Sequence, residues 1–286
     1  MTNVYEKVTN RVIEQMSKGI VPWQKPWKNA TDGGEAISYT SRKPYSLLNQ
    51  MLLGRPGEYL TFKQVKELGG NIRKGAKAEF VVFFTFVEKK EVNADGEEKE
   101  TRYPILRYYN VFHIDDCEGV ETKFKTGDAE VKEEPKGIEF CDSIVSDYSE
   151  RTNLKVTIME SNGAYYSPSR DEVVCPTMSQ HDSPEDFYST LFHELTHSTG
   201  HKSRLDRLQS SGNFSMRSNS YSREELIAEM GSAMLVSHCG IDTEKVFRNS
   251  VAYLQNWVKA FKDDVQMIVW AASRAEKAVK LILNQE

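Results

Sequence analysis

Cysteine is scarce in this 286-residue chain: Cys117, Cys141, Cys175 and Cys239 are the only four, far apart and without a CxxC pair. That excludes a disulfide framework and a thiolate metal site, and makes the reduced cytoplasm the expected compartment. Long apolar runs are also missing. The longest, Phe80 to Val87, is far too short to cross a bilayer and reads as a buried strand, so no membrane partner is expected. Met1 to Gly19 is polar and reads as an amphipathic helix, so no secretory leader is expected either. Histidine occurs only six times, which makes its placement informative.

Charge is unevenly spread. Residues 1–90 carry 15 Lys and Arg against 8 Asp and Glu, residues 91–140 carry 7 against 14, and residues 141–286 carry 15 against 20. A basic first third in a chain of net charge −5 points to an anionic partner for that third. Within it, Trp23, Trp27, Arg42, Lys43, Tyr45, Arg73, Lys74 and Lys77 interleave rings with cations. Such a pattern suits a groove that follows phosphates while rings stack on bases. For the segment Pro22 to Trp27 the alternative is a wrapped core corner, with at least one tryptophan inside.

Apolar periodicity predicts a first helix over residues 4–18. Arg42 to Tyr45 reads as a basic aromatic turn into a short apolar helix ending near Leu53. A strand at Tyr59 to Phe62, a helix over Lys63 to Leu68 and a basic turn at Asn71 to Lys77 follow. The runs Glu79 to Lys89 and Arg102 to Ile114, separated by Asp95-Gly96, predict a long hairpin. Composition turns polar from residue 116, which places a linker over 126–136 between domains 1–125 and 137–286. The second unit opens with a helix over 137–152, a strand at Lys155 to Met159 and a hairpin from Ala164 to Cys175. Two amphipathic helices over 244–283 read as scaffold.

Between these stands His193-Glu194-Leu195-Thr196-His197. Residues four apart share a helix face, so His193 and His197 can present two imidazoles to one cation while Glu194 addresses a water on it. The context supports a helix: Ser183-Pro184-Glu185-Asp186 is a strong start and Gly200 a natural stop. Catalytic zinc takes three protein ligands and leaves a fourth position for water. A metzincin-type site needs His ten residues after His193; that position is Ser203, which excludes the class. Gly200 breaks the helix before His201, so His201 is expected in a loop beside the ligands. On the downstream helix Glu225 and Glu229 share a face. The string from Glu225 to Glu229 resembles the gluzincin arrangement, which implies Glu225 as third ligand and Glu229 as the carboxylate that orients a ligating histidine. Three alternatives stay open: Ser222 with Glu225 fits a capping box, Glu229 fits as the ligand itself, and His201, four residues beyond His197, is a further ligand candidate. Zn2+ is the expected cofactor and Glu194 the general base, with Tyr166 or Tyr221 for oxyanion support. Lys202 to Ser220 reads as a loop over the cleft.

These residues carry a family resemblance. The order of Pro22 to Trp27, Thr61-Phe62-Lys63-Gln64, Gly75-Ala76-Lys77, Tyr109-Asn110-Val111-Phe112, His193 to Arg207 and Glu224 to Leu235 resembles the ArdC antirestriction proteins over nearly the whole chain. The resemblance implies an α+β fold of two domains, an N-terminal α+β DNA-binding domain and a C-terminal zincin-like metallopeptidase domain of gluzincin type. It further implies single-stranded DNA as partner, possible double-stranded DNA binding, and a role on mobile genetic elements. The protein or peptide substrate is not implied. A DNA-binding protection module with a structural or inactive zincin domain, or a toxin-like peptidase, are the alternatives.

Overall fold

Helix α1 (Val4–Ser17) begins where Asn3 accepts the Tyr5 N–H and Glu6 returns to the Asn3 backbone, a reciprocal cap. The computed structural model describes residues 3–24, 35–92, 98–123, 137–208, 219–241 and 251–285. A 3-10 turn at Pro22–Gln24 follows α1, then β1 (Ala36–Ser38), α2 (Leu47–Leu53), β2 (Gly57–Leu60), α3 (Phe62–Glu67) and β3 (Asn71–Ile72). The hairpin of β4 (Glu79–Val92) and β5 (Glu98–His113) is longer than the periodicity predicts, pairing Glu79 with Val111 through to Val92 with Glu98. These strands form one sheet in the order β1-β2-β5-β4, and β6 (Cys117–Glu118) pairs separately with β3. Residues just after β6 remain on the first unit. The Thr122 hydroxyl and the Lys123 N–H donate to Glu58 at 2.6 and 3.0 Å, and Arg42 pairs with the same fully buried carboxylate. The expected linker over 126–136 lies outside the described residues.

The second unit contains α4 (Ile138–Thr152), β7 (Lys155–Ile158), β8 (Tyr165–Ser167), β9 (Glu172–Cys175), α5 (Pro184–Ser198), α6 (Asn219–His238), α7 (Val251–Asp263) and α8 (Met267–Ile282). Strand β9 is central in its sheet, parallel to β7 and antiparallel to β8. Every residue of it is buried: Val173, Val174 and Cys175 form a short apolar run, and Glu172 at its start is paired with Lys155.

Two cores meet at α6. Leu226, Ile227 and Met230 pack with Val8, Val12, Met16 and Trp23 of the first unit and with Phe261 and Ile268. Leu235 and Val236 pack instead with α4, β9 and α5 through Tyr148, Val173 and Leu191. A helix wedged between two cores must offer apolar side chains to both, and α6 does so while Glu224, Glu225 and Glu229 occupy the positions between them. The first unit therefore shares a hydrophobic core with the scaffold of the second.

Candidate metal centre

Helix α5 starts at Ser183, whose hydroxyl accepts the Asp186 N–H at 3.1 Å, with Pro184 at the first helical position. Its buried face, Phe187, Tyr188, Leu191, Phe192 and Leu195, turns His193 and His197 toward α6. The two helices cross closely because α6 carries Gly231 at the contact: a Cβ there would lie 2.5 Å from Thr196 Cγ2. Ser232 donates to the Ser189 carbonyl at 2.7 Å across the same crossing.

That crossing brings Glu225 to the histidines. The Nε2 atoms of His193 and His197 are 3.1 Å apart, and Glu225 places Oε2 3.5 Å from the first and Oε1 3.4 Å from the second. Among the described residues these three form the cluster of His, Cys, Asp or Glu that offers ligand atoms within 4.8 Å of one another. Tetrahedral ligands at zinc-like bond lengths are about 3.3 Å apart, so two imidazoles and a carboxylate at this spacing suit a divalent metal. Burial opposes the charge on Glu225, but bonds from His193 and His197 hold its carboxyl well below the usual range. Burial likewise opposes protonation of His197, yet the Glu224 and Glu225 carboxylates push it up to about 10.

Behind the ligand atoms the sequence expectation needs correction. The carboxylate facing a histidine is Glu224, whose Oε1 is 3.3 Å from His197 Nδ1. Glu229 instead accepts the Tyr253 hydroxyl at 3.1 Å, and burial pushes its carboxyl up. The reason is helical phase: Glu224 points to the rear of His197, whereas Glu229 follows Glu225 by one turn and meets α7. His201 is in the loop after α5, with Nδ1 2.7 Å from the Ser203 hydroxyl and 3.8 Å from Asp171. Tyr166 is engaged elsewhere, donating to Asp171 at 2.8 Å and accepting from Arg204 at 3.2 Å. The side chain of Tyr221 lies outside the described residues. Glu194 is 9% exposed and has no hydrogen-bond partner among the described residues. Burial, with the Glu194 charge nearby, pushes the Cys175 thiol up to about 12. Glu224, Tyr253 and Arg207 are the residues that sequence reasoning missed, although Arg207 stands in the quoted stretch from His193.

The expected DNA contacts separate into groups. Trp23 is corrected outright: it is 1% exposed, edge-on to Trp257 and Phe261 at 6.3 and 6.0 Å, and belongs to the core. Trp27 lies outside the described residues. Arg42 is exposed but paired with Glu58, and Lys43 is exposed. Lys43 and Tyr45 line a cavity of about 680 Å³ shared with Met234, His238 and Glu276, away from the histidine pair. Arg73, Lys74 and Lys77 are exposed. The run Phe80 to Val87 is not a buried strand throughout: only Val81 and Val82 are buried, because the hairpin continues past the body of the sheet. Phe83, Phe84, Phe86, Tyr103, Tyr108 and Tyr109 each expose more than 40% of their surface. Phe83 pairs across the hairpin with Arg107 and lies 6.3 Å from the Tyr45 ring and 6.1 Å from the Tyr109 ring. Among the described residues no helix is long and apolar enough to cross a membrane.

Comparison with known proteins extends over both units. A zincin-like metallopeptidase domain model matches residues 145–274, and a model of the N-terminal domain of anti-restriction factor ArdC matches residues 2–112. Two DNA primase TraC proteins of Escherichia coli are 30% identical over 99% of this chain, which spans only 27% and 20% of their lengths. The metal-free crystal structure of antirestriction ArdC protein from plasmid R388 is 33% identical with a TM-score of 0.72, and each chain covers the other fully. Its Mn(II)-bound structure is 32% identical with a TM-score of 0.74, over 99% of this chain and 98% of that one. With both domain models in order and a full-length structural match, the chain belongs to the ArdC antirestriction family, an α+β fold with an N-terminal ArdC domain and a C-terminal zincin-like metallopeptidase fold.

Proposed function

We propose that this protein hydrolyses a peptide bond at a Zn2+ site formed by His193, His197 and Glu225, and binds single-stranded DNA through its first unit in an antirestriction role. The observation that carries the hydrolase reading is the convergence of three ligand atoms within 4.8 Å beside Glu194. Bound there, the cation would acidify a water and polarise a carbonyl. Glu194, uncommitted to other hydrogen bonds among the described residues, takes the proton on its carboxylate and returns it to the leaving amine. Glu194→Gln is expected to keep metal bound and to lower hydrolysis of a peptide library by about 100-fold or more. Full activity with metal bound would end this reading.

The DNA reading is supported by the ring row Tyr45, Phe83 and Tyr109 with Arg107 set against Phe83, near the basic turn of Arg73, Lys74 and Lys77. Rings stack on any base and cations follow the phosphates, so such a surface suits a single strand. That surface also favours a second reading in which DNA occupancy alone gives protection. An antirestriction assay of Glu194→Gln beside Phe83→Ala/Tyr109→Ala separates the two. Protection that survives the first and fails in the second leaves hydrolysis outside the antirestriction role.

A further inference from the structure

Arg207 enters the interior from the segment after α5 and is 8% exposed. Its Nε donates to both Glu224 oxygens at 3.1 and 2.9 Å, and its Nη2 donates to Glu224 Oε1 at 2.8 Å. The same guanidinium donates to the Thr196 carbonyl at 2.6 Å and the Thr199 hydroxyl at 2.5 Å. One side chain thus ties the last turn of α5 to one carboxylate of α6. Room for it comes from Gly200, where a Cβ would lie 3.0 Å from Arg207 Cγ and 2.7 Å from Leu208 Cγ.

Glu224 and Glu225 are neighbours in sequence but point about 100° apart around the helix, so they reach opposite sides of His197. Glu225 faces its Nε2 at 3.4 Å and Glu224 its Nδ1 at 3.3 Å. A neutral imidazole carries its proton on one nitrogen, and a carboxylate at Nδ1 selects the tautomer whose Nε2 lone pair is free. Left unclamped, a carboxylate beside a metal site could turn away from that task or toward the ion.

We propose that Arg207 is a positioning residue for the metal centre: by fixing Glu224 it holds His197 with Nδ1–H donating backward and Nε2 directed at the ion. The inference rests on the reading of His197 as a ligand. A lysine could not replace the fork, because one ammonium cannot span both Glu224 oxygens, Thr196 and Thr199. Arg204 provides an internal contrast. It lies three residues earlier, donates to the Ser198 carbonyl at 2.8 Å and to Asp171 at 3.0 Å, and has no bond to Glu224 among the described contacts.

Calorimetric titration of Zn2+, and separately Mn2+, into the full chain tests the proposal. Arg207→Met and Glu224→Gln, each checked for a native near-ultraviolet spectrum, are expected to weaken binding by about 10- to 100-fold. The double variant is expected to lose no more than the larger single loss, because both changes break one linkage. Arg207→Lys is expected to regain little. Arg204→Met lowers Tm but leaves affinity within about threefold of the parent, since Arg204 bonds the Ser198 carbonyl and Asp171 rather than Glu224. In the Zn2+-loaded protein the 15N shift of His197 Nδ1, which reports its hydrogen bond to Glu224, moves in Arg207→Met and not in Arg204→Met. Should Arg207→Met not fold, the cycle of Arg207→Lys with Glu224→Gln takes its place. Metal binding by a folded Arg207 variant within about threefold of the parent, or losses that multiply in the double variant, would overturn the proposal. Failure of the parent chain to bind either ion, or undiminished binding by His193→Ala/His197→Ala, would instead overturn the metal-site reading beneath it.

Discussion

The α5–α6 crossing and the β4–β5 hairpin use their side chains in opposite ways. At the crossing, Arg207, Glu224, Thr196 and Thr199 are 8% exposed or less and bound to one another, so position is dictated by mutual constraint. On the hairpin, six aromatic rings stand more than 40% exposed, where they hold the fold weakly. The proposed hydrolysis needs fixed atoms, which the constrained region supplies, whereas the open region suits a partner with many registers. Substitutions should therefore damage fold and site together in the first region, and binding alone in the second.

The largest expected effect breaks the comparison if it fails. Trp23→Ala removes a buried ring from the shared core and is expected to cost about 3–5 kcal/mol of stability. Phe86→Ala, on a ring 58% exposed, is expected to cost under about 0.5 kcal/mol. Urea unfolding of the two variants measures both. Equal midpoints would mean that exposure does not sort these aromatics into structural and functional groups.

Next in size, Phe83→Ala/Tyr109→Ala is expected to weaken oligo-dT binding by about 1–3 kcal/mol per ring lost, read by fluorescence anisotropy. Metal affinity should stay at the parent value, because these residues lie outside the histidine cluster. Coupled losses would show that the hairpin and the crossing are one functional surface.

A smaller effect concerns protons at the crossing. His197 is raised from its ordinary value to about 10, so through the neutral range a metal ion must displace a proton from it. Metal affinity is therefore expected to rise with pH, by at most about tenfold per unit for one proton, and to level near 10. Stability of the metal-free protein runs the other way. The contribution from protonated His197 is fully present below about 6.5 and is lost as pH rises through about 10. Calorimetry in buffers of different ionisation enthalpy counts the released proton; release of none at pH 7 contradicts the assignment.

Much of this contrast was legible in the sequence, though unevenly. The Ser183 cap, the apolar face of α5 and the histidine spacing are local, so periodicity and capping chemistry exposed them. Glu225 could be proposed because the string from Glu225 to Glu229 resembles the gluzincin arrangement, but helix phase relative to α5 depends on Gly231 against Thr196, a tertiary contact. For the same reason the carboxylate that orients a ligating histidine was expected at Glu229, whereas it is Glu224 that faces His197. Trp23 and Phe83 show the other failure. Both are aromatic residues in the basic first third, and only the depth of packing against Phe261, or the reach of a hairpin beyond its sheet, separates them.

The smallest expected effect isolates charge from stacking within the first unit. Arg73, Lys74 and Lys77 are exposed in the turn just before β4, so removing one should scarcely alter stability. A phosphate contact releases counterions on binding, and each contact adds about 0.7 to the slope of log affinity against log salt for a single strand. Lys74→Ala and Lys77→Ala are each expected to reduce that slope by about this amount without changing the preference among oligonucleotide sequences. Phe83→Ala should lower affinity at every salt concentration with the slope unchanged, because a stacked ring displaces no counterion. An unchanged slope in both lysine variants would remove the basic turn from the DNA path and leave Arg107 and the rings to account for binding.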